Sequence, residues 1–277
     1  MRMNFILKTL ITAVFFVGLL YIFPQRFDIG NVSTLFTAVA LLFGVIAGFF
    51  IAATLTNYFK LQSLVAKETS KLIALHENIL VLEPSLKKQI NEAIDNYLIA
   101  AFDWEFSIYI DKTWDEFDEI IKITKKVKER DSELYSQLLN IRDDLIETRQ
   151  EMTLTGRRII GLSHWVTLIV LASTSIFLLY VMKEPSLESS IFTVLLSSTT
   201  CLVLFLLQEI DNNTFAEEQL AFSVYQIIFK RLGNLPYFSE LDLKEKRVKI
   251  PKSGKYRVGI YKNYPKSVEK DIKIIGH

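Results

Sequence analysis

The sequence predicts an all-α integral membrane protein with four transmembrane helices, a cytoplasmic helical bundle between spans two and three, and a small basic tail. Half of its 277 residues are apolar, although Lys plus Arg (32) and Asp plus Glu (31) are numerous and nearly cancel. Four windows of 17, 31, 24 and 20 residues contain no charged side chain; they are Thr9–Gln25, Ile29–Phe59, Ile159–Met182 and Ser189–Gln208. Twenty helical residues rise about 30 Å, which is the hydrocarbon thickness of a bilayer.

The four spans are expected near Phe5–Phe23, Thr34–Thr56, Ile160–Met182 and Ser189–Gln208. The first has an alternative interpretation, because "MRMNFILK" followed by "LITAVFFVGLLYIF" also has the charged start and apolar middle of a signal peptide. The following "PQRFDIGN" lacks a small-x-small cleavage site, so a retained span is favoured.

The orientation follows from the basic residues beside the spans. The two short connections contain only Arg26 and Lys183, whereas the other span ends are flanked by Arg2, Lys8, Lys60, Lys67, Arg157 and Arg158. The positive-inside rule therefore places both termini and the long middle segment in the cytoplasm.

The expected divisions of the chain are 1–56 (spans one and two), 57–158 (cytoplasmic helical segment), 159–208 (spans three and four), 209–243 (amphipathic helix) and 244–277 (basic tail). An apolar seam with steps of three and four continues the second span to Leu82, where Glu83-Pro84 ends it. The last cytoplasmic helix is expected to continue through Arg157-Arg158 into span three. Both connections are therefore predicted to be helical.

The tail from Lys244 to His277 has eleven basic and three acidic residues, a net charge of +8. Its stretch "RVKIPKSGKYRVGIY" alternates as a β-hairpin would, around a turn at Pro251–Gly254. We expect the tail to lie against anionic lipid, where each basic residue adds about 1 kcal/mol. No nucleic-acid recognition motif accompanies the charge, so nucleic acid is not an expected partner.

The sequence does not suggest an enzyme. Its histidines, His76, His164 and His277, are far apart, and its single cysteine, Cys201, lies inside a predicted span. No zinc-ligand spacing, phosphate loop, dinucleotide fingerprint or nucleophile elbow is present. We therefore predict no catalytic residue, metal or cofactor.

Small residues recur every four positions in the second span, at Gly44, Gly48 and Ala52 with Ala47 alongside. Such a face allows close packing of a neighbouring helix, which is its commoner use. It would also allow several second spans to line a narrow pore, in which Phe49 or Phe50, with Ala53, would form an apolar constriction.

Two further polar features have both an ordinary and a functional interpretation. Thr193, Ser197 and Thr200 share a face of span four, where hydroxyls bond to their own helix or could contact passing ions. Glu68 occupies an apolar seam position. It either reaches solvent or, if buried, needs a partner such as Arg142 or Arg149.

Several stretches in combination resemble one family. They are "FGVIAGFFIAATLTNYFKLQSLVAKETSKLIAL", "YLIAAFDWEF" with Asp103 and Trp104, Arg157-Arg158, "LLQEIDNNTFAEE" with Asp211, and "GNLPYF". From about Leu35 to Phe238 the chain resembles the bestrophin-like family of prokaryotic four-span membrane proteins. It departs from similar sequences at Ser163-His164, where a proline is expected, and the tail lies outside the resemblance.

The resemblance implies an inner-membrane protein that forms a homo-oligomer, with a pentamer as the number found in bestrophins. By analogy with bestrophin channels, small ions would pass a neck near Phe49, Phe50 and Ala53. They would then enter a cytoplasmic vestibule around Glu68, with Asp103, Trp104 and Asp211 as further candidates. The alternative is a non-conducting membrane scaffold or signal relay that acts through its cytoplasmic helices.

Overall fold

The computed structural model describes residues 5–22, 31–104, 108–211, 222–244, 248, 254–264 and 266–276. In chain order the elements are helices α1 (Phe5–Ile22), α2 (Val32–Leu82), α3 (Lys87–Ala101), α4 (Tyr109–Lys112), α5 (Trp114–Thr124), α6 (Ser132–Thr155), α7 (Leu162–Val181), α8 (Leu187–Asp211) and α9 (Phe222–Leu232), strand β1 (Tyr237–Ser239), helix α10 (Glu240–Lys244), and strands β2 (Tyr256–Tyr261) and β3 (Lys270–Ile275). The chain divides into unit 1 (Met1–Thr56 and Arg158–Asn212) and unit 2 (Asn57–Arg157 and Asn213–His277).

Unit 1 consists of the apolar helices. Within the described residues, α2, α7 and α8 are long and apolar enough to cross a membrane, whereas the apolar part of α1, Leu7–Ile22, is shorter. The Tyr180 hydroxyl of α7 donates to the Phe16 carbonyl of α1 at 2.7 Å, so α1 is held to its neighbours by a buried hydrogen bond. The count of four spans remains a prediction.

Of the two connections predicted to be helical, one is a continuous helix in the structure and the other is interrupted. Helix α2 runs without interruption to Leu82, and the 3-10 turn Pro84–Leu86 follows, as expected from Glu83-Pro84. The predicted continuation of α6 into α7 is wrong, because α6 ends at Thr155 and α7 begins at Leu162. The backbone N–H groups of Ile159 and Ile160 donate to the Asp211 carboxylate instead of to helix carbonyls, which explains the break.

Unit 2 is a helical core around the C-terminal half of α2. The seam predicted from the sequence is fully buried, as Leu61, Leu72, Leu75 and Ile79 show. Helices α3, α5, α6 and α9 supply most of the other buried residues of this core. Helix α6 begins at a capped end, where the Asp131 carboxylate accepts from two backbone N–H groups at 3.0 and 3.1 Å.

A sheet completes unit 2. Among the described residues it has three strands, in the order β1-β2-β3, with β1 parallel and β3 antiparallel to β2. Helix α9 ends at Leu232, and Gly233 at φ 78° turns the chain towards β1. The short β1 and α10 were not predicted from the sequence.

The predicted hairpin is not the pairing observed. Strand β2 lies inside the predicted segment, but its antiparallel partner is Lys270–Ile275, and Tyr237–Ser239 occupies its other edge. Both edges of β2 are therefore taken by segments other than the predicted hairpin partner. The predicted turn residues Pro251–Ser253 lie outside the described residues.

A glycine in β2 allows the closest approach in this region. A Cβ at Gly259 would overlap the Tyr237 hydroxyl and lie 3.1 Å from Cδ of Lys270. Tyr237 is completely buried and cannot move aside without disturbing the core.

We therefore expect Gly259→Ala to destabilise the protein by about 1–3 kcal/mol, the usual cost of overpacking. Thermal unfolding of the full chain in detergent, followed by tryptophan fluorescence, should show a midpoint several degrees lower. Lys273→Ala, at an exposed position of β3, is the matched control. Equal midpoints for Gly259→Ala and the control would contradict the close packing described.

Candidate functional site

The small-residue face of α2 points away from the other described helices of unit 1. Gly44, Gly48 and Ala52 are all exposed, and a Cβ added at either glycine would meet nothing within 4 Å. Phe49 shares this exposure at 69%. The stripe is therefore not packed against another described helix of the same chain.

The remaining candidates on α2 lie on other sides of the helix. Ala47 is buried in the contact with α7 and α8, and Ala53 is half-buried. Phe50 packs against the same cluster, and its ring contacts the ring of His164 at a centroid distance of 5.2 Å. The seven candidates on α2 thus divide into an outward group and an inward group.

The hydroxyls of α8 are mainly occupied by their own helix. Thr193 donates to the Ser189 carbonyl and Thr200 to the Leu196 carbonyl, each at 2.9 Å. Ser197 is completely buried, and its hydroxyl has no hydrogen-bond partner in the described part of the chain. The bond to the helix's own carbonyl is therefore the observed geometry for the two threonines.

Asp211, at the C-terminal end of α8, holds the turn before α7. Its buried carboxylate accepts from the Ile159 and Ile160 N–H groups at 3.0 and 3.1 Å. Two residues earlier at the same end of α8, Glu209 pairs with Lys8 of α1 at 2.6 Å. Two carboxylates therefore fix α1, α7 and α8 within unit 1.

Glu68 is the centre of a buried polar cluster in unit 2. It is completely buried; it accepts hydrogen bonds from the hydroxyls of Tyr97 and Tyr225, the latter at 3.1 Å. Arg149 of α6 completes the ion pair with an N–O distance of 3.5 Å. Arg142, the other arginine suggested by the sequence, pairs with its neighbour Asp143 instead.

Arg149 is bound on several sides. Its guanidinium donates to the Tyr97 hydroxyl, to the Ile110 carbonyl at 3.1 Å and to the Thr113 hydroxyl at 3.3 Å. The ring of Phe117 lies 4.1 Å from its central carbon, a cation–π distance. These contacts replace the water that a buried charge loses and make the pair tolerable.

Asp103 anchors the basic tail. Lys270 of β3 donates to both carboxylate oxygens at 2.5 and 2.6 Å, and the Tyr261 hydroxyl donates at 2.6 Å. Burial raises the pKa of Asp103, while the charge of Lys270 opposes that rise. Burial also lowers the pKa of Lys270 and raises that of Tyr261. This cluster fixes the end of α3 to the sheet.

A second ion pair with the same arrangement is formed by Asp95, which lies earlier in the chain on α3. Arg257 of β2 binds Asp95 bidentately, at 2.6 and 2.8 Å, and Asn234 donates to the same carboxylate at 2.6 Å.

Trp104, the candidate next to Asp103, is partly buried against the core, with the Lys112 ammonium 5.4 Å from its ring centroid.

Sequence reasoning missed the tail's contribution to these clusters. Arg257 and Lys270 were counted only as basic charge, and Tyr225 and Tyr261 were not singled out. The spacing of Arg257 and Tyr261 on one strand, like that of Lys270 and Ile272 on the next, alternates as a half-buried strand does. That alternation was the available signal, but it does not identify the partner acids.

The fold is that of bacterial bestrophin homologues. A point-substituted variant of a bestrophin homologue from Klebsiella pneumoniae aligns with a TM-score of 0.60 and 13% identity over 83% of this chain and 97% of that chain. The structure of that bacterial homologue solved separately gives 0.57 and 11% identity over 84% and 100%. At these identities the likeness shows the fold alone.

A bestrophin-like domain model matches residues 9–213, and the chain therefore belongs to the bestrophin-like family. The resemblance noted from the sequence is confirmed. No match was found among curated protein sequences.

Replacing one member of the Glu68–Arg149 pair should destabilise the protein more than replacing both. We expect Arg149→Met to destabilise the protein by about 3–5 kcal/mol, because it leaves the Glu68 charge buried without its partner. The double variant Glu68→Gln/Arg149→Met should recover part of that loss. Unfolding midpoints in detergent measure both.

The matched control is Arg142→Met on the same helix, whose partner Asp143 is exposed. It should change the midpoint little, as exposed pairs contribute about 0–1 kcal/mol. If the single variants at 68 and 149 were simply additive in the double variant, the two side chains would not form the coupled pair described.

Proposed function

We propose that this protein is a multi-pass inner-membrane protein whose copies assemble around a pore lined by the first half of α2, through which small ions pass. One observation carries the proposal. In a helix of membrane-spanning length, Gly44, Gly48 and Ala52 form an exposed small-residue stripe. Such a stripe allows the close approach of an identical helix from another copy.

Family membership supports the channel interpretation, since the family takes its name from the bestrophin channels. Phe49, exposed beside the stripe, would then form an apolar neck that gates by dewetting, with Phe50 and Ala53 behind it. The hydroxyls of Thr193, Ser197 and Thr200 would serve helix packing. Four spans, cytoplasmic termini and the domain limits given above belong to the same proposal.

A scaffold without conduction would be favoured if the Gly44 face were packed inside the chain. The exposure of that face in the described structure supports the oligomeric pore over the scaffold. We further propose that Glu68 acts within the fold of unit 2 and contributes to a vestibule only through the helices that it positions. Its completely buried carboxylate supports this structural role.

The tail is proposed to combine two roles. Arg257 and Lys270 bind Asp95 and Asp103 within unit 2. Lys255, Lys266 and Lys273 are exposed and remain the candidates for anionic lipid. The charge offered to lipid is therefore smaller than the net +8 of the sequence.

The proposal is tested by reconstituting the full chain into planar bilayers and by native mass spectrometry of the detergent-solubilised protein. We expect a ring of several copies and a salt-dependent conductance. A Cβ at Gly48 meets no described atom within 4 Å, and Gly48→Trp should reduce that conductance at least tenfold by filling the pore or separating the helices.

Val14→Trp on α1 is the matched control, since Val14 is 71% exposed and lies on a helix outside the proposed pore. It should conduct as the unsubstituted protein does. A stable ring that stays silent at every voltage and salt concentration would overturn conduction, and a monomer would overturn the pore as well.

A further inference from the structure

A cavity of about 220 Å³ lies between α2 and α9, entirely within unit 2. Its apolar lining includes Leu72, Ile73 and Leu80 of α2 and Ile228 of α9. A dry apolar cavity of about 150 Å³ is large enough for benzene. The cavity beside α9 is larger than that and therefore has room for an aliphatic side chain such as that of leucine.

Two opposite charges line this cavity from different helices. Glu77 belongs to α2 and Arg231 to α9, and both side chains are exposed. Neither forms an ion pair with the other or with any residue in the described ranges. An acid and a base that do not pair with each other thus line one apolar cavity, which suits a molecule that carries both an ammonium and a carboxylate.

The third polar group of the lining is held in place. His76 is 8% exposed, and its Nε2 lies 2.6 Å from Oδ1 of Asn91. The Asn91 amide nitrogen donates to the Leu232 carbonyl at 3.4 Å, so Oδ1 is the acceptor and the proton is assigned to Nε2.

We propose that this cavity binds a free α-amino acid with an apolar side chain. Arg231 binds the carboxylate, Glu77 binds the ammonium, and the side chain packs on the apolar lining. A simple fatty acid or an apolar amine would satisfy one charge and place its own charge near the like charge of the other. The inference does not depend on ion conduction, because none of its residues is assigned to the proposed pore.

The ligand arm of the test uses isothermal titration calorimetry on the full chain in nanodiscs. L-leucine should bind saturably. Three probes each lack one of its parts: 4-methylpentanoate lacks the ammonium, 3-methylbutylamine lacks the carboxylate, and L-serine lacks the apolar side chain. Each should bind at least tenfold more weakly, because one part of the site is then left unmatched.

The protein arm uses Glu77→Gln and Arg231→Gln, which remove one charge each at exposed positions that leave the core intact. Both should weaken leucine binding at least tenfold, with unchanged unfolding midpoints. Lys230→Gln is the matched control, because Lys230 is exposed on α9 next to Arg231 but does not line the cavity. It should bind leucine normally.

Three results would overturn the proposal: no saturable leucine binding, equal binding of leucine and serine, or leucine binding unaffected by both glutamine variants. Weakening by Lys230→Gln as strong as that by Arg231→Gln would also overturn it, since the effect would then come from net charge alone. Bilayer conductance is measured separately and does not enter this test.

Discussion

The buried pair between Glu68 and Arg149 is the interaction on which the helical core of unit 2 depends. It connects α2 to α6 directly, and the hydroxyls of Tyr97 and Tyr225 add α3 and α9 to the same cluster. Removing two charges from water costs several kcal/mol per ion, so such a pair is weak support for stability as such. Its stronger effect is to define a single arrangement of the helices. A one-residue shift of any of these helices would leave a buried charge or hydroxyl unmatched.

Ion pairs removed from water also fix the C-terminal part of the chain. Asp95 lies on α3 and Asp103 two residues beyond its C-terminal end, and each receives a basic side chain from a different strand of the sheet, Arg257 and Lys270. The sheet is thus tied to α3 at two points by charges that are largely removed from water. A segment that appears as a free basic tail by composition is therefore partly an element of the folded unit. The net charge counted from the sequence therefore overestimates the positive charge that is available to bind lipid or other partners.

The features predictable from the sequence were those encoded locally. Charge-free windows and steps of three and four identified the long apolar helices and the continuous α2, since both depend on neighbours within a few residues. A cationic partner for Glu68, with Arg149 as one of two examples, follows from the sequence if Glu68 is buried, because a buried carboxylate needs a cation. The pairing of Lys270 with Asp103, 167 residues away, has no local signal. The break before α7 was missed because its cause, Asp211, lies about fifty residues downstream.

The glycines of α2 present the opposite case, a local pattern without a local partner. In water a glycine costs a helix interior about 1 kcal/mol relative to alanine, so two exposed glycines on one face bring no benefit to an isolated chain. Contact with lipid does not require them either, since larger apolar side chains would bury more surface there. What glycine provides is a short distance between helix backbones. No described helix of the same chain approaches Gly44 or Gly48, and this is why we propose α2 of another copy as the surface that uses this distance.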